Sequence, residues 1–164
     1  MAPTAVLGRA KPAATSKLAA ALARVPAAVL EPSVPGAAPY RLPARAACLG
    51  VKFLEYSLAG TVCGVVGQAA ANGLVAVKRS MAGPSPHDLT PPPVLLTGLT
   101  WGLFMGVSSN VRYQIVYGLE RGVDATVARK FPAAAYAATL AFRFVNNVIG
   151  GENFIDMARW AGRQ

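Results

Sequence analysis

Residues 56–77 read YSLAGTVCGVVGQAAANGLVAV, about 22 residues without a charge, closed at once by Lys78 and Arg79. A helix rises about 1.5 Å per residue, so a run of this length is what one helix needs to cross roughly 30 Å of hydrocarbon. Along it Gly60, Gly64, Gly67 and Ala71 recur at steps of four, three and four, which puts them on one helical face. Such a face of small residues lets a second backbone come close, the small-xxx-small arrangement of packing in lipid.

A matching run follows. Pro91 to Pro93 open it, proline being tolerated in the first turn of a helix, and it stays uncharged to Val111 with Gly98, Gly102 and Gly106 at steps of four. Two neighbouring helices with glycine faces are expected to pack as a tight hairpin. The stretch GVSSNVRYQIVYGLERG, residues 106–122, sets an apolar block sharply against a polar cluster, which reads as the exit of a membrane helix. Arg112 to Lys130 is amphipathic and mixed in charge, as suits an interfacial helix or a loop at headgroup level. A third apolar run opens at Phe131 and Pro132 and reaches about Gly150, interrupted by Arg143, Asn146 and Asn147. The tail GENFIDMARWAGRQ pairs acids with bases and carries Trp160, which fits an end anchored at the interface. The expected fold is an all-α integral membrane bundle with about three transmembrane helices.

Composition supports that reading. Hydrophobic residues make up 54% of the 164 and charged ones 14%, with a mean hydropathy of +0.40, on the membrane side of globular usage. A soluble protein would have to bury this helical hairpin against partners that so short a chain does not contain. The net charge of +9 raises nucleic acid as a partner. Its distribution excludes that, because the Lys and Arg residues stand singly or in pairs beside apolar runs, with no aromatic residues interleaved as a stacking platform.

Residues 1–47 form an Ala/Pro-rich, basic segment with Glu31 as its one acid, and residues 48–164 carry the membrane domain. The first segment reads either as an organelle transit peptide, with the helical patch KLAAALARV ended by Pro26, or as a Pro-studded loop between membrane elements. With three crossings, Arg9, Lys11, Lys17, Arg24, Arg41, Arg45, Lys52, Arg112, Arg121, Arg129 and Lys130 share one side. Lys78, Arg79, Arg159 and Arg163 keep the other. By the positive-inside bias the first side faces the compartment of insertion.

Catalytic constellations are missing: no His/Cys/carboxylate cluster, no nucleophile motif and no phosphate loop. No enzyme activity, cofactor or metal is therefore expected. Cys63 reads as a small packing residue, Cys48 gives no framework with it, and His87 reads as a solvated side chain in a Pro-rich loop. The polar groups within apolar runs say more. An arginine at the centre of a membrane helix costs about 2.5–3.5 kcal/mol on insertion scales, so Arg143 is expected to face protein or a water-filled cavity. Gln68 and Asn72 on the first run and Ser108, Ser109 and Asn110 at the end of the second are candidates to line the same cavity, with Asn146 and Asn147 a turn beyond Arg143. A guanidinium clamps a carboxylate, and amides and hydroxyls orient a polar solute. The competing structural roles are snorkelling of Arg143, capping by the Ser and Asn groups, and pairing of Glu120 or Asp156 with Arg112, Arg143 or Arg159.

The segments GVVGQAAANGLVAVKRS, GLTWGLFMGVSSNVRYQIVYGLER, FRFVNNVIGG and FIDMARWAGRQ resemble the C-terminal domain of the RETICULATA-related proteins of plants and green algae, from about Leu49 onward. The resemblance marks Ser108, Ser109, Asn110, Arg112, Tyr113, Gln114, Glu120, Arg143, Asn146, Asn147, Gly150, Gly151, Asp156 and Arg159 as motif positions. It implies a multi-pass protein of the chloroplast envelope, of the inner membrane, that affects leaf and plastid development. It also implies transport of metabolites with basic amino acids as the favoured class. The expected partners are the lipid bilayer, further copies or other envelope proteins, and a small-molecule substrate. A non-transporting membrane scaffold is the rival expectation. In the family an upstream helix ends near an Ala-Pro-Thr, so "MAPT" implies that Met1 falls inside the domain, the chain being expected as either a fragment or the product of a truncated gene model.

Overall fold

The computed structural model describes residues 16–33, 38–83 and 90–161. Arg9, Lys11, His87 and Arg163 therefore lie outside the described residues, as does most of the loop before the three prolines. Two compact units divide the chain, residues 1–48 and residues 49–164.

In the first unit, helix α1 (Lys17–Leu22) is started by Ser16, whose hydroxyl accepts from the Ala19 amide at 3.1 Å. This is the usual service of an N-cap serine to an otherwise orphaned donor. Pro26 follows three residues past the C-cap, Ala23, and cannot continue the helix. Arg45 donates to the Val29 carbonyl, and the Tyr40 amide donates to Ser33 Oγ at 3.1 Å.

Helix α2 (Leu42–Ala82) is 41 residues long and runs through the boundary between the units. It contains the first charge-free run but extends well beyond both ends of it. The helix stops at Gly83, whose φ of +76° is the left-handed conformation that glycine adopts without strain. Its amide closes the end on the Arg79 carbonyl at 3.0 Å.

Helix α3 (Val94–Phe104) has Pro93 at its N-cap. It does not end at the Ser-Ser-Asn string. A π turn at Met105–Ser109 carries the chain directly into α4 (Asn110–Thr126). The polar cluster expected at a helix exit thus sits in the middle of one 33-residue helical stretch. After a turn at residues 127–130, Pro132 opens α5 (Pro132–Trp160), 29 residues long.

Among the described residues every regular element is helical. Two helices, α2 and the stretch Val94–Thr126, are long and apolar enough to cross a membrane. The third run is helical, but Arg143, Asn146 and Asn147 dilute it, so α5 does not join them and the expected three becomes two by length and composition.

The hairpin of α2 and α3 is held by glycine. A Cβ built on Gly64 would stand 2.9 Å from the Gly98 Cα and 2.8 Å from the Trp101 Cβ, and one on Gly60 2.8 Å from the Trp101 carbonyl oxygen. From the other side, a Cβ on Gly98 would stand 3.0 Å from the Val65 amide nitrogen and one on Gly102 2.8 Å from the Ser57 carbonyl oxygen. A Cβ on Gly106 would meet the Ser57 hydroxyl and the Phe53 ring. Backbone meets backbone here, and only glycine leaves room for it. Gly67 is the exception: nothing stands within 4 Å of a Cβ built there. The contact stripe on α2 runs through Ser57, Thr61, Gly64 and Gln68; Gly67 lies at its edge in line with Gly60, seven residues before, but at a level where nothing stands against it. Cys63, next to Gly64 and so about 100° round the helix from it, is exposed, as is Ala71.

Candidate functional site

The antiparallel pairing fixes which polar groups can meet. Asn110 at the start of α4 is buried and donates from Nδ2 to the Leu49 carbonyl at 3.0 Å, while Asn72 donates from Nδ2 to the Pro92 carbonyl at 3.0 Å. These two bonds close opposite ends of the α2–α3 contact. Leu49 and Asn72 are separated by about 35 Å of helix at about 1.5 Å per residue. Gln68, which donates to Asn72 Oδ1 at 2.7 Å, therefore does not share a cavity with Ser108, Ser109 and Asn110. The pair Gln68 and Asn72 ties the entrance of α3 to α2.

The second layer is the π turn and the first turn of α4. Arg112 reaches back and donates from Nη1 to Ser108 Oγ and from Nη2 to Ser109 Oγ, the latter at 3.0 Å. Its guanidinium lies 5.3 Å from the centre of the Phe104 ring. A Cβ on Gly150 would stand 3.0 Å from Nη2, so α5 comes closest to this group where it has no side chain. Arg112 Nε is buried without an acceptor. One turn before Gly150 on the same face of α5, Asn146 Oδ1 is buried without a donor. Gln114 donates to Asn110 Oδ1 at 3.4 Å, and Tyr113 meets the Tyr56 ring edge to face at 6.0 Å.

The third layer lies about 12 Å further along α4. Arg143 donates from Nε to Glu120 Oε1 at 2.7 Å and from Nη2 to Oε2 at 3.2 Å, a forked pair between α4 and α5. The Arg143 side chain keeps 65% of its surface exposed and Glu120 17%. Asn147 is exposed, and the exposed Asp156 stands 3.8 Å from Arg159 on its own helix, apart from Arg112 and Arg143.

An aromatic cluster fixes the opposite end of α5. Phe154 stacks on Trp101 at 3.7 Å and meets Phe104 at 5.3 Å. The pairs 101 with 154, 112 with 150 and 120 with 143 define one antiparallel register. That register sets the apolar first half of α5 beside the charged α4, and its charged last turns beside the apolar α3. The third run is thus offset along the bundle from the first two. Sequence reading gave Arg143 the central place and Arg112 a motif position only. Spacing held the missing signal, since Ser108 and Arg112 are four residues apart and so neighbours on a helix.

A sequence model of the family described as RETICULATA-like, Protein RETICULATA-related, matches residues 1–119. "Protein RETICULATA-RELATED 1, chloroplastic" of Arabidopsis thaliana is 40% identical over 168 residues, covering 100% of this chain and 38% of the relative. "Protein RETICULATA, chloroplastic" of the same plant is 39% identical over 156 residues, covering 94% of this chain and 36% of the relative. "Protein RETICULATA-RELATED 2, chloroplastic" is 37% identical over 120 residues. The likeness takes in the Ala/Pro-rich first segment and so begins well before Leu49. The chain spans little more than a third of the length of these relatives. No solved structure matches it.

Proposed function

The chain belongs to the RETICULATA-related family, and from that premise we propose that it is a multi-pass protein of the chloroplast envelope, in the inner membrane. It forms part of a carrier for small polar metabolites such as basic amino acids, and carries out no catalysis. Plastid location draws on the relatives, whose names call them chloroplastic. Insertion draws on α2 and the Val94–Thr126 stretch, which are of spanning length and present Leu58, Val62, Val66, Leu95, Leu99 and Leu103 outward. Such side chains are at home against lipid and costly against water.

The observation that carries the transport reading is the Glu120–Arg143 pair between two helices. Its two members are the complements of the two ends of a basic amino acid. A solute entering between them exchanges one ion pair for two, with Arg143 taking the carboxylate and Glu120 the cationic side chain, so neither protein charge is left unpaired. The same pair favours the scaffold as a second reading, since a fork that closes α4 on α5 also simply holds a bundle together. The test is uptake of labelled arginine into liposomes carrying this chain, run beside liposomes carrying full-length RETICULATA-RELATED 1. Flux that is lost in Glu120→Gln and Arg143→Gln supports the carrier. Absence of flux from both proteins, with folding verified and other amino acids tried, gives the scaffold. Release of the chain from plastid membranes by alkaline carbonate would overturn insertion itself.

A further inference from the structure

Arg112 stands outside the ion pairs on the helices of the second unit. Arg143 has Glu120, Arg159 has Asp156, and Lys52 has Glu55 at 2.6 Å. Arg112 donates only to two neutral hydroxyls, and its buried Nε–H has no acceptor. A guanidinium carries five N–H donors and no acceptor, so most of its capacity is unused here. The setting makes that expensive. Phe104 covers one side of the group, Gly150 of α5 another, and the charge-free runs of α2 and α3 end at this level. A cation held part-way out of water against apolar surface is stabilised strongly by an anion that approaches it.

The two serines are arranged to help such an anion. Each accepts from Arg112 and keeps its own hydroxyl proton to give. Ser109 donates that proton to the Met105 sulfur at 3.3 Å, and a thioether is a weak acceptor. An oxyanion arriving beside the guanidinium offers both hydroxyls a better one. The π turn contributes by placing Ser108 and Ser109 together under Arg112, and π turns within α-helices concentrate at functional sites.

We infer that Arg112, Ser108 and Ser109 form a receptor for a single oxyanion, a phosphate or a carboxylate, at the rim of the apolar region. The receptor is separate from the Glu120–Arg143 pair and does not depend on transport. Its anion is either the phosphate of an anionic lipid headgroup, which no choline neutralises as it does in phosphatidylcholine, or a small free solute, and these are separable by experiment. The purified chain is placed in phosphatidylcholine nanodiscs and its thermal unfolding followed against inorganic phosphate and against acetate. A parallel series replaces part of the phosphatidylcholine by phosphatidylglycerol at fixed buffer.

A ligand that binds the folded state raises the unfolding temperature saturably. The expected result is a saturable rise in one series, abolished in Arg112→Gln and unchanged in Arg129→Gln, an exposed cation outside the receptor. The Ser108→Ala/Ser109→Ala double variant keeps the guanidinium and is expected to bind roughly tenfold more weakly, as the loss of charge-assisted hydrogen bonds implies. It also decides the matter if Arg112→Gln does not fold. A response to soluble anions in pure phosphatidylcholine assigns a free solute, and one confined to phosphatidylglycerol assigns a headgroup. No saturable response in either series, or one that both variants retain in full, overturns the inference.

Discussion

Replacing Gly102 by alanine tests whether α2 and α3 touch where the structure puts them. The new Cβ would stand 2.8 Å from the Ser57 carbonyl oxygen and against the Thr61 hydroxyl. The Thr61 side chain can turn away, but Ser57 O is main chain of a helix and moves only with its axis. Carbon–oxygen contacts settle at about 3.3–3.6 Å, so the helices must part by roughly half an ångström or more. A gap of that size forfeits about a quarter or more of each van der Waals contact along the stripe, and overpacking of this kind costs about 1–3 kcal/mol. Gly67→Ala is the matched control, since nothing stands within 4 Å of its added Cβ. It removes a helical glycine and is expected to gain about 0.5–1 kcal/mol. Gly102→Ala gains the same helix propensity, so equilibrium unfolding in mixed micelles, followed by circular dichroism, should separate the two variants by the overpacking cost of about 1–3 kcal/mol, with Gly102→Ala the weaker. Equal stabilities, or the reverse order, would refute the glycine contact and the register built on it.

Three further outcomes follow from the same geometry. A double-mutant cycle on Glu120→Gln and Arg143→Gln should give a coupling of about 0.2–1 kcal/mol in detergent, because Arg143 is 65% exposed; a much larger value would place the pair in a dry interior. Phe154→Ala removes the ring stacked 3.7 Å from Trp101 and should cost about 1–3 kcal/mol while shifting tryptophan emission to the red. An unshifted spectrum would separate α5 from α3. Asn72→Ala deletes the bond to the Pro92 carbonyl and should cost about 1 kcal/mol. It should leave anion binding at Arg112 untouched, about 30 Å of helix away from Pro92.

Much of the hairpin was legible in the sequence because two local rules agreed. Charge-free runs of spanning length marked the helices, and glycines at steps of four marked their shared face. Gly67 failed although it lies in line with Gly60, because a shared face does not say at which levels a partner fills it, and nothing stands against Gly67. The polar string after Gly106 was read as a helix end because polarity changes there, yet Ser108 and Ser109 serve Arg112, Asn110 serves the Leu49 carbonyl, and no proline stands between Gly106 and Thr126 to stop the helix. The expected common cavity failed on distance along the helix, since the two polar groups flank the contact instead of sharing a level. The offset of α5 was beyond any one-helix pattern, because long-range aromatic packing of Phe154 on Trp101 sets it.

The π turn at Met105–Ser109 has the effect of one residue inserted into a regular helix, and one residue is worth about 100° of rotation. The glycines before it and the polar groups after it are therefore phased independently, each aimed at its own partner helix from a single continuous rod. Deleting any one residue of the turn would leave the composition almost unchanged and keep the rod helical, yet swing Arg112 and Glu120 together away from α5. Sequence comparisons within the family would then be more sensitive to the spacing between Gly106 and Arg112 than to the identity of the residues that fill it.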